Sequence, residues 1–550
     1  MKIGKRGAGI LAALVVVITV GAVLLSRYWI YIPGILAELR DPVQPNREVV
    51  WEQGPAEAEM SLDKRSPNIV VILADDLGFN DLSFGGGGVA GGTVPTPNID
   101  SIAKSGVVFA NGYSGNATCA PSRAAIMTGR YATRFGFEFT PAPPAFAKGI
   151  ATFSDNGAQY FEDREKDVPD VDAMSVPLSE IYISQMLKDQ GYHTLMLGKW
   201  HLGGTDTTRP ETRGFDEALG FMPGASLFAR KNDPNIVNSV QDFDPIDRFL
   251  WANLPFAIQF NGSERFEPSE YMTDYLTNEA VKAIEANRNR PFFMYLSYNA
   301  VHTPLQALKS DYDKLAHIED HTLRTYAAMV MSLDRGVGKV LAELRKQGLE
   351  DNTIVIFTSD NGGAHYIGLP DINKPYRGWK ATFFEGGIHV PFFLKWPDRV
   401  PAGAVVERPA THVDIFATAA AAAGATLPQD RVYDGTDLLS VVAAEDAPRR
   451  PLFWRSGHYK VLMSDGWKLQ TSERPKKDWL FNLAVDPTEQ NNLAEVEPDR
   501  LADMRAELAR IDGEQAKPIW PALVEAPILI DRPLGGAPRG PEDEYVFWAN

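Results

Sequence analysis

The chain of 550 residues has one cysteine, Cys119, and nine histidines scattered along its length. A single cysteine rules out an internal disulfide, and with no second thiolate a structural zinc site is not expected. Basic residues are in deficit, with 54 Lys and Arg against 71 Asp and Glu and a net charge of −17. That balance argues against a nucleic-acid binder, which would present a basic face. It leaves open an anionic substrate, since a local pocket can be basic on an acidic protein. No internal repeat is present. The glycine run "GGGGVAGG" at 85–92 lacks the Lys-Ser/Thr ending of a phosphate loop and reads as an ordinary loop.

Apolar residues make up 44% of the chain, ample for a large core. The 18 residues Ala8–Leu25 carry no charge, close to the minimum for a membrane-spanning helix. Tyr28, Trp29 and Tyr31 follow, residues that favour a membrane interface. Lys2, Lys5 and Arg6 favour an N-terminus in the cytoplasm, with the rest of the chain expected outside it, on the periplasmic side of a bacterium. The alternative is secretion after cleavage of a signal peptide, although no A-x-A site follows the apolar run. The expected organisation is an anchor or signal at 1–34, a Pro- and Glu-containing linker at 35–66, a main domain at 67–445, a smaller subdomain at 446–525, and an irregular Pro/Gly-rich tail at 526–550.

Between 66 and 445, helical stretches alternate with short apolar runs such as "NIVVILA" and "NTIVIFTS". This is the pattern of an α/β fold with a mainly parallel sheet covered on both faces by helices. After 450 the runs shorten and Asp465-Gly466 signals a hairpin, so the smaller subdomain is expected to be an antiparallel sheet with one helix. Open parallel sheets bind ligands beyond the carboxyl ends of their strands. Four apolar runs end there in reactive residues: Asp75 and Asp76, then Lys199 and His201, then His302, then Asp360 and Asn361. The aspartates and the asparagine are hard oxygen donors, suited to Ca²⁺ or Mg²⁺. Lys199 and His201 share a face if their strand runs through both. Arg123 follows Cys119 by one helical turn, with Pro121 expected at the first position of that helix. Cys119 itself has two readings, a small buried apolar residue or a nucleophile.

"CAPSRAAIMTGR" at 119–130 resembles the signature of the type I sulfatases, Cys-x-Pro-Ser-Arg followed by Thr-Gly-Arg. "ADDLG", "GKWHLG", "HTP", "SDNGG" and "GWKATFFEGGIHVP" follow in that family's order, so the resemblance runs from about 66 to about 500. It implies an arylsulfatase-like enzyme of the alkaline phosphatase superfamily that releases inorganic sulfate from an aryl sulfate or a sulfated carbohydrate. It implies a large α/β domain with a smaller C-terminal antiparallel subdomain. It further implies that Cys119 is oxidised to Cα-formylglycine by a formylglycine-generating enzyme. A divalent cation, calcium rather than magnesium, would be held by Asp75, Asp76, Asp360, Asn361 and the modified Cys119. Arg123 would position the hydrated aldehyde. Lys199 and Lys380 would grip the sulfate, His302 or Lys380 would protonate the leaving oxygen, and His201 would release the bound sulfate. Two other functions stay open at this level: a phosphate or phosphonate ester hydrolase of the same superfamily, and a membrane-anchored binding protein without catalysis. Phe135, Phe137, Phe139, Tyr366 and Tyr376 could stack on a substrate or pack a core, and His365 has no evident role.

Overall fold

A computed structural model describes residues 14–16, 19–21, 28–397, 399–444 and 450–550. Most of the apolar run Ala8–Leu25, and the boundary expected at 445–446, lie outside the described residues. Among the described residues no helix is long and apolar enough to cross a membrane.

The centre is a nine-stranded sheet. In chain order its strands are β1 (Asn68–Ala74), β2 (Val107–Phe109), β3 (His193–Lys199), β4 (Glu217–Phe221), β5 (Gln259–Phe260), β6 (Phe292–Ser297), β7 (Thr353–Ser359), β8 (Phe392–Lys395) and β9 (Ala404–Val406). Their spatial order is β9-β2-β8-β7-β1-β6-β3-β4-β5. The run β7-β1-β6-β3-β4 is parallel throughout. Every residue of β1, β3, β6 and β7 is buried, as required of strands covered on both faces. The pleat divides them cleanly. Val70, Ile72 and Ala74 enter one core, and Ile69, Val71 and Leu73 enter the other. The first core takes α5 (Met272–Ala286) and α6 (His321–Lys346). The second takes α2 (Cys119–Thr128).

The C-terminal subdomain is an antiparallel meander, β10 (Leu452–Ser456), β11 (Tyr459–Ser464), β12 (Trp467–Glu473) and β13 (Lys476–Asn482), followed by α7 (Pro498–Asp512). Asp465 and Gly466 join β11 to β12 with both φ angles positive, the conformation that two-residue hairpins favour.

Two expectations fail. The segment 526–550 is not irregular: β14 (Val524–Leu529) pairs antiparallel with β15 (Tyr545–Ala549) and with Gln159–Tyr160. Its turn-forming residues are confined to the connection between the two strands. Nor is 35–66 a free linker. α1 (Ile32–Arg40) is helical, and Val49 and Trp51 are buried in the main core, Trp51 donating to Glu279 at 2.9 Å. Two further helices used below are α3 (Pro144–Phe153) and α4 (Pro245–Asn253).

Candidate active site

The carboxyl ends of four adjacent parallel strands, β7, β1, β6 and β3, deliver the reactive residues to one place. Asp75 and Asp76 follow β1, Lys199 closes β3, His302 lies in the loop after β6, and Asp360 and Asn361 follow β7. All ten residues singled out from the sequence are buried: Asp75, Asp76, Cys119, Arg123, Lys199, His201, His302, Asp360, Asn361 and Lys380. Asp76, His201 and Ala381, the neighbour of Lys380, have positive φ, a conformation uncommon outside glycine. Backbone strain of this kind gathers where a site over-determines the chain.

Local geometry differs from expectation at two points. α2 begins at Cys119, with Thr118 as its N-cap, so Pro121 is the third helical residue rather than the first. The first turn tolerates this because its N–H groups have no helical partner. The shift puts Cys119 at the positive end of the helix. β3 stops at Lys199, and the chain turns at His201 (φ 62°), so strand alternation does not align the two residues. His201 reaches the site because its N–H bonds to the carbonyl of Met222, beyond the neighbouring strand.

Three cations are matched to three carboxylates. Lys199 Nζ donates to Asp75 Oδ2 at 2.7 Å. Arg123 Nε and Nη2 both donate to Asp360 Oδ2, at 2.9 and 2.7 Å, with Asp75 3.6 Å away. Lys380 Nζ donates to Asp76 Oδ2 at 2.8 Å and to His302 Nε2 at 3.1 Å. Arg123 also donates to Ser297 Oγ and to the Lys199 carbonyl. Asn361 Nδ2 donates to Asp76 Oδ1 at 2.7 Å.

These contacts set the protonation states. Burial pushes Asp75 upward, the neighbouring Asp360 adds to this, and its carboxyl stands at about 7. Burial also acts on Asp76, but Lys380, His302 and Lys199 outweigh it and hold that carboxyl well below the usual range. Asp360 is likewise lowered against burial by Arg123. The Cys119 thiol, raised by burial, is brought down to about 7 by Lys199 and Lys380. Burial, Lys199 and Arg123 keep His201 neutral, far below the normal histidine range. Its Nε2–H donates to the Pro141 carbonyl at 3.4 Å, and its Nδ1 is buried without a hydrogen-bond partner. His302 Nδ1–H donates to the Thr303 carbonyl at 2.5 Å, so in the neutral ring Nε2 accepts from Lys380. Burial and Lys380 oppose the charged ring, but Asp76 and Asp75 outweigh them and raise its pKa above the usual histidine range.

Ligating atoms of Asp75, Asp76, Cys119 and His302 all lie within 4.8 Å of one another. Asp75 Oδ1 and Asn361 Oδ1 are buried and have no hydrogen-bond partner. Orphaned buried oxygens are costly unless something binds them. Hard oxygens beside a low-pKa carboxylate fit Ca²⁺ or Mg²⁺. Asp360 sits at the edge of this group, its Oδ1 accepting from the Asp76 N–H at 3.2 Å and its Oδ2 from Arg123.

The loop bearing Lys380 is clamped from the C-terminal subdomain. Lys468 of β12, fully buried, contacts Glu385 at 2.6 Å and Glu489 at 2.9 Å. Glu385 also accepts from Tyr113 and His389. Tyr366, read from the sequence only as a stacking or packing ring, puts its hydroxyl inside the site. Tyr366 Oη donates to Asp76 Oδ2 and accepts from Lys380, both at 3.0 Å. Its position five residues after Asn361 was a signal, but an aromatic ring there reads first as packing. His365 beside it is buried with Nδ1 unpartnered. Phe135, Phe137 and Phe139 are buried core residues, Phe137 lying edge-on to Trp520, so they are not a substrate platform.

A family model described as Sulfatase matches residues 67–425. The chain belongs to the sulfatase family. This sulfatase is 30% identical over 534 residues to the N-acetylgalactosamine-6-sulfatase of Mus musculus, a match covering 88% of this chain and 95% of that protein. It is 30% identical over 505 residues to the steryl-sulfatase of Homo sapiens, covering 79% of each. Among solved structures, Ps i-CgsB in complex with k-i-k-neocarrahexaose superposes with a TM-score of 0.70 at 33% identity, covering 83% of this chain and 95% of that one. The phosphonate monoester hydrolase of Agrobacterium radiobacter, at 19% identity and a TM-score of 0.54, shares the fold alone. The sulfatase is a sulfuric ester hydrolase with the fold of the alkaline phosphatase superfamily.

Proposed function

We propose that this sulfatase hydrolyses sulfate esters of carbohydrates through a formylglycine at position 119 and a bound calcium ion. The observation that carries this is the convergence of Cys119 with Asp75, Asp76 and His302, beside two buried oxygens that lack partners. The carbohydrate assignment is supported by the N-acetylgalactosamine-6-sulfatase relatives and by the bound neocarrahexaose of the similar structure. Asp75, Asp76, Asp360, Asn361 and the modified residue 119 would hold the cation. Once bound, it acts as a Lewis acid on sulfate oxygens and lowers the pKa of the attacking hydroxyl.

The chain's own groups would do the rest. The hydrated aldehyde at 119 presents two hydroxyls. One would supply the attack on sulfur, with the S–O bond to the alcohol breaking, so that covalent catalysis splits one hard step into two. Lys199 and Lys380 hold the sulfate oxygens as charge redistributes, and Arg123 orients the diol. His302 and Lys380, 3.1 Å apart, share the place from which the leaving oxygen is protonated. His201 is neutral with Nδ1 free, and so is ready to take the proton of the second hydroxyl. Loss of that proton would let the C–O bond to sulfate break and the aldehyde return. Maturation requires a formylglycine-generating enzyme. The apolar N-terminal run anchors the catalytic domain outside the cytoplasm.

The test is the mass of the tryptic peptide carrying residue 119, from protein made in its own host, paired with turnover on matched sulfate and phosphate esters. A loss of about 18 Da relative to cysteine, with sulfate preferred, is the expected result. An unmodified thiol in active protein would overturn the formylglycine assignment.

A further inference from the structure

Helix α1 faces the wrong way for a surface helix of a soluble domain. Tyr31, Ile35 and Leu39 form one row at four-residue spacing, and Ile32 and Leu36 the next, an apolar arc of about 140°. This arc points away from the protein, with Leu39 76% and Ile35 58% exposed. The opposite side is fastened to the body. The Gly34 N–H donates to Asn253 Oδ1 at 2.7 Å, and Asn253 Nδ2 donates to the Ile30 carbonyl at 3.0 Å. A Cβ on Gly34 would come within 2.9 Å of Asn253 Cα, so only glycine permits this approach. Ile30 is buried, Trp29 stacks on Phe153 at 5.9 Å, and Arg265 pairs with Asp41 at 2.7 Å.

We propose that this outward face of α1 lies in the headgroup layer of a lipid bilayer and holds the catalytic domain at a fixed height above it. The proposal rests on the anchor reading of Ala8–Leu25. Chain length singles out lipid as the occupant. Leu25 ends the apolar run and Tyr28 is three residues on, a reach of at most about 11 Å. The interfacial layer is itself about 5–7 Å deep. A chain leaving the hydrocarbon at Leu25 therefore brings Tyr28, Tyr31 and the apolar arc to the membrane surface, where tyrosines and apolar faces of in-plane helices partition.

The height follows from the two helices on which this segment docks. α3 begins three residues after Pro141, the hydrogen-bond partner of His201, and ends at Phe153 against Trp29. α4 carries Asp247, which accepts from Thr303 beside His302, and ends at Asn253 against α1. Both therefore run from the active site to the anchor helix. At 1.5 Å per residue, the ten-residue α3 spans about 15 Å. The path along α4 is shorter, about 9 Å for the six residues from Asp247 to Asn253, so the active site lies within roughly 20 Å of α1 and within reach of glycans close to the membrane.

The test uses the full chain in vesicles of phosphatidylcholine and phosphatidylglycerol. Leu39→Cys and Val485→Cys, each in a Cys119→Ala background, carry an environment-sensitive fluorophore, and brominated lipids act as quencher. Flotation of the protein with vesicles, strong quenching at position 39 and none at position 485 is the expected result. Flotation with an unquenched, water-like signal at position 39 would overturn the proposal while leaving the anchor standing. Failure to float would remove both. Disulfide cross-linking between two Leu39→Cys copies, without quenching, would give the face to a second copy instead. Gly34→Val tests the rigid docking. Trypsin cleavage at Arg40 and Arg47, monitored by the new N-termini Asp41 and Glu48 so that cleavage at Arg27 does not count, is expected to be at least about tenfold faster than in wild type, in the range set by local opening free energies. Equal cleavage rates would overturn the fixed height.

Discussion

Removing the divalent cation should weaken the affinity of the active site for inorganic sulfate, its reaction product, by about 5–150-fold. Three buried carboxylates, Asp75, Asp76 and Asp360, face three buried cations, Arg123, Lys199 and Lys380. The two lysines expected to grip sulfate are already tied to Asp75 and Asp76 at 2.7 and 2.8 Å. Above about pH 7, where Asp75 is ionised as well, the charges balance and the site has no net attraction for an anion. A bound divalent cation would add two positive charges and compete for the same carboxylates, which would free the lysines. The gross attraction between unit charges 4 Å apart is about 4 kcal/mol at an effective dielectric constant near 20. Desolvation and the loss of the lysine–carboxylate pairs offset most of it. A net coupling of about 1–3 kcal/mol remains, equivalent to about 5–150-fold in affinity. Calorimetric titration of sulfate, at constant ionic strength, into calcium-loaded and chelator-treated protein measures it. Reciprocity requires sulfate to tighten calcium by the same factor. Equal sulfate affinity in the two states would refute the charge balance as the basis of anion binding.

Four further outcomes can be checked. Asp360→Ala strands the buried Arg123 guanidinium and should cost about 3–5 kcal/mol, whereas Asp360→Asn should fold; both should lose metal-dependent turnover, and retained activity would remove Asp360 from the site. Lys380→Ala should lower kcat by about a hundredfold or more, against no change for exposed Lys374→Ala, and a near-unchanged rate would exclude Lys380. Tyr366→Phe removes the hydroxyl that spans Asp76 and Lys380, so turnover of alkyl sulfates, with their poor leaving groups, should fall about tenfold more than that of nitrophenyl sulfate; an equal fall would mark a structural role only. Burial raises the carboxyl of Asp81 to about 8, so the folded state holds a proton that the unfolded state releases near 4; melting temperature should fall as pH climbs between those values, and Asp81→Asn should flatten that slope.

The parallel sheet was legible because buried strands announce themselves. "NIVVILA" carries no polar residue after Asn68 and stops at two aspartates, which is what a strand covered on both faces and open at its carboxyl end must look like. Most of the residues that converge beyond the sheet were legible because they come in motifs on those strand ends. The remainder depended on partners distant in sequence. Trp51 is core because Glu279, 228 residues later, accepts its N–H, and nothing within 35–66 could reveal that. Composition misled at the C-terminus, where the turn "DRPLGGAPRGPED" hid the strands on either side. Periodicity misled at His201, because a positive φ breaks the alternation at the residue where the chain leaves the sheet.

The C-terminal subdomain belongs to the catalytic apparatus through charge rather than through a reactive group. Lys380 lies on a loop, outside the strand ends that deliver the other cations. A loop lysine would ordinarily lose rotamer entropy each time it entered a buried site. Here the loop's far side is held by Glu385, whose carboxylate is shared by Lys468, Tyr113 and His389. Lys468 also contacts Glu489, and Arg377 of the same loop donates to the Glu489 carbonyl and pairs with Asp531 and Glu544. Buried ion pairs add little net stability but penalise every alternative arrangement heavily, since each leaves a charge unpaired. That property suits a device whose task is to fix one lysine in one place. The antiparallel meander and the strands after residue 524 thus set the geometry of the site while adding no reactive side chain to it.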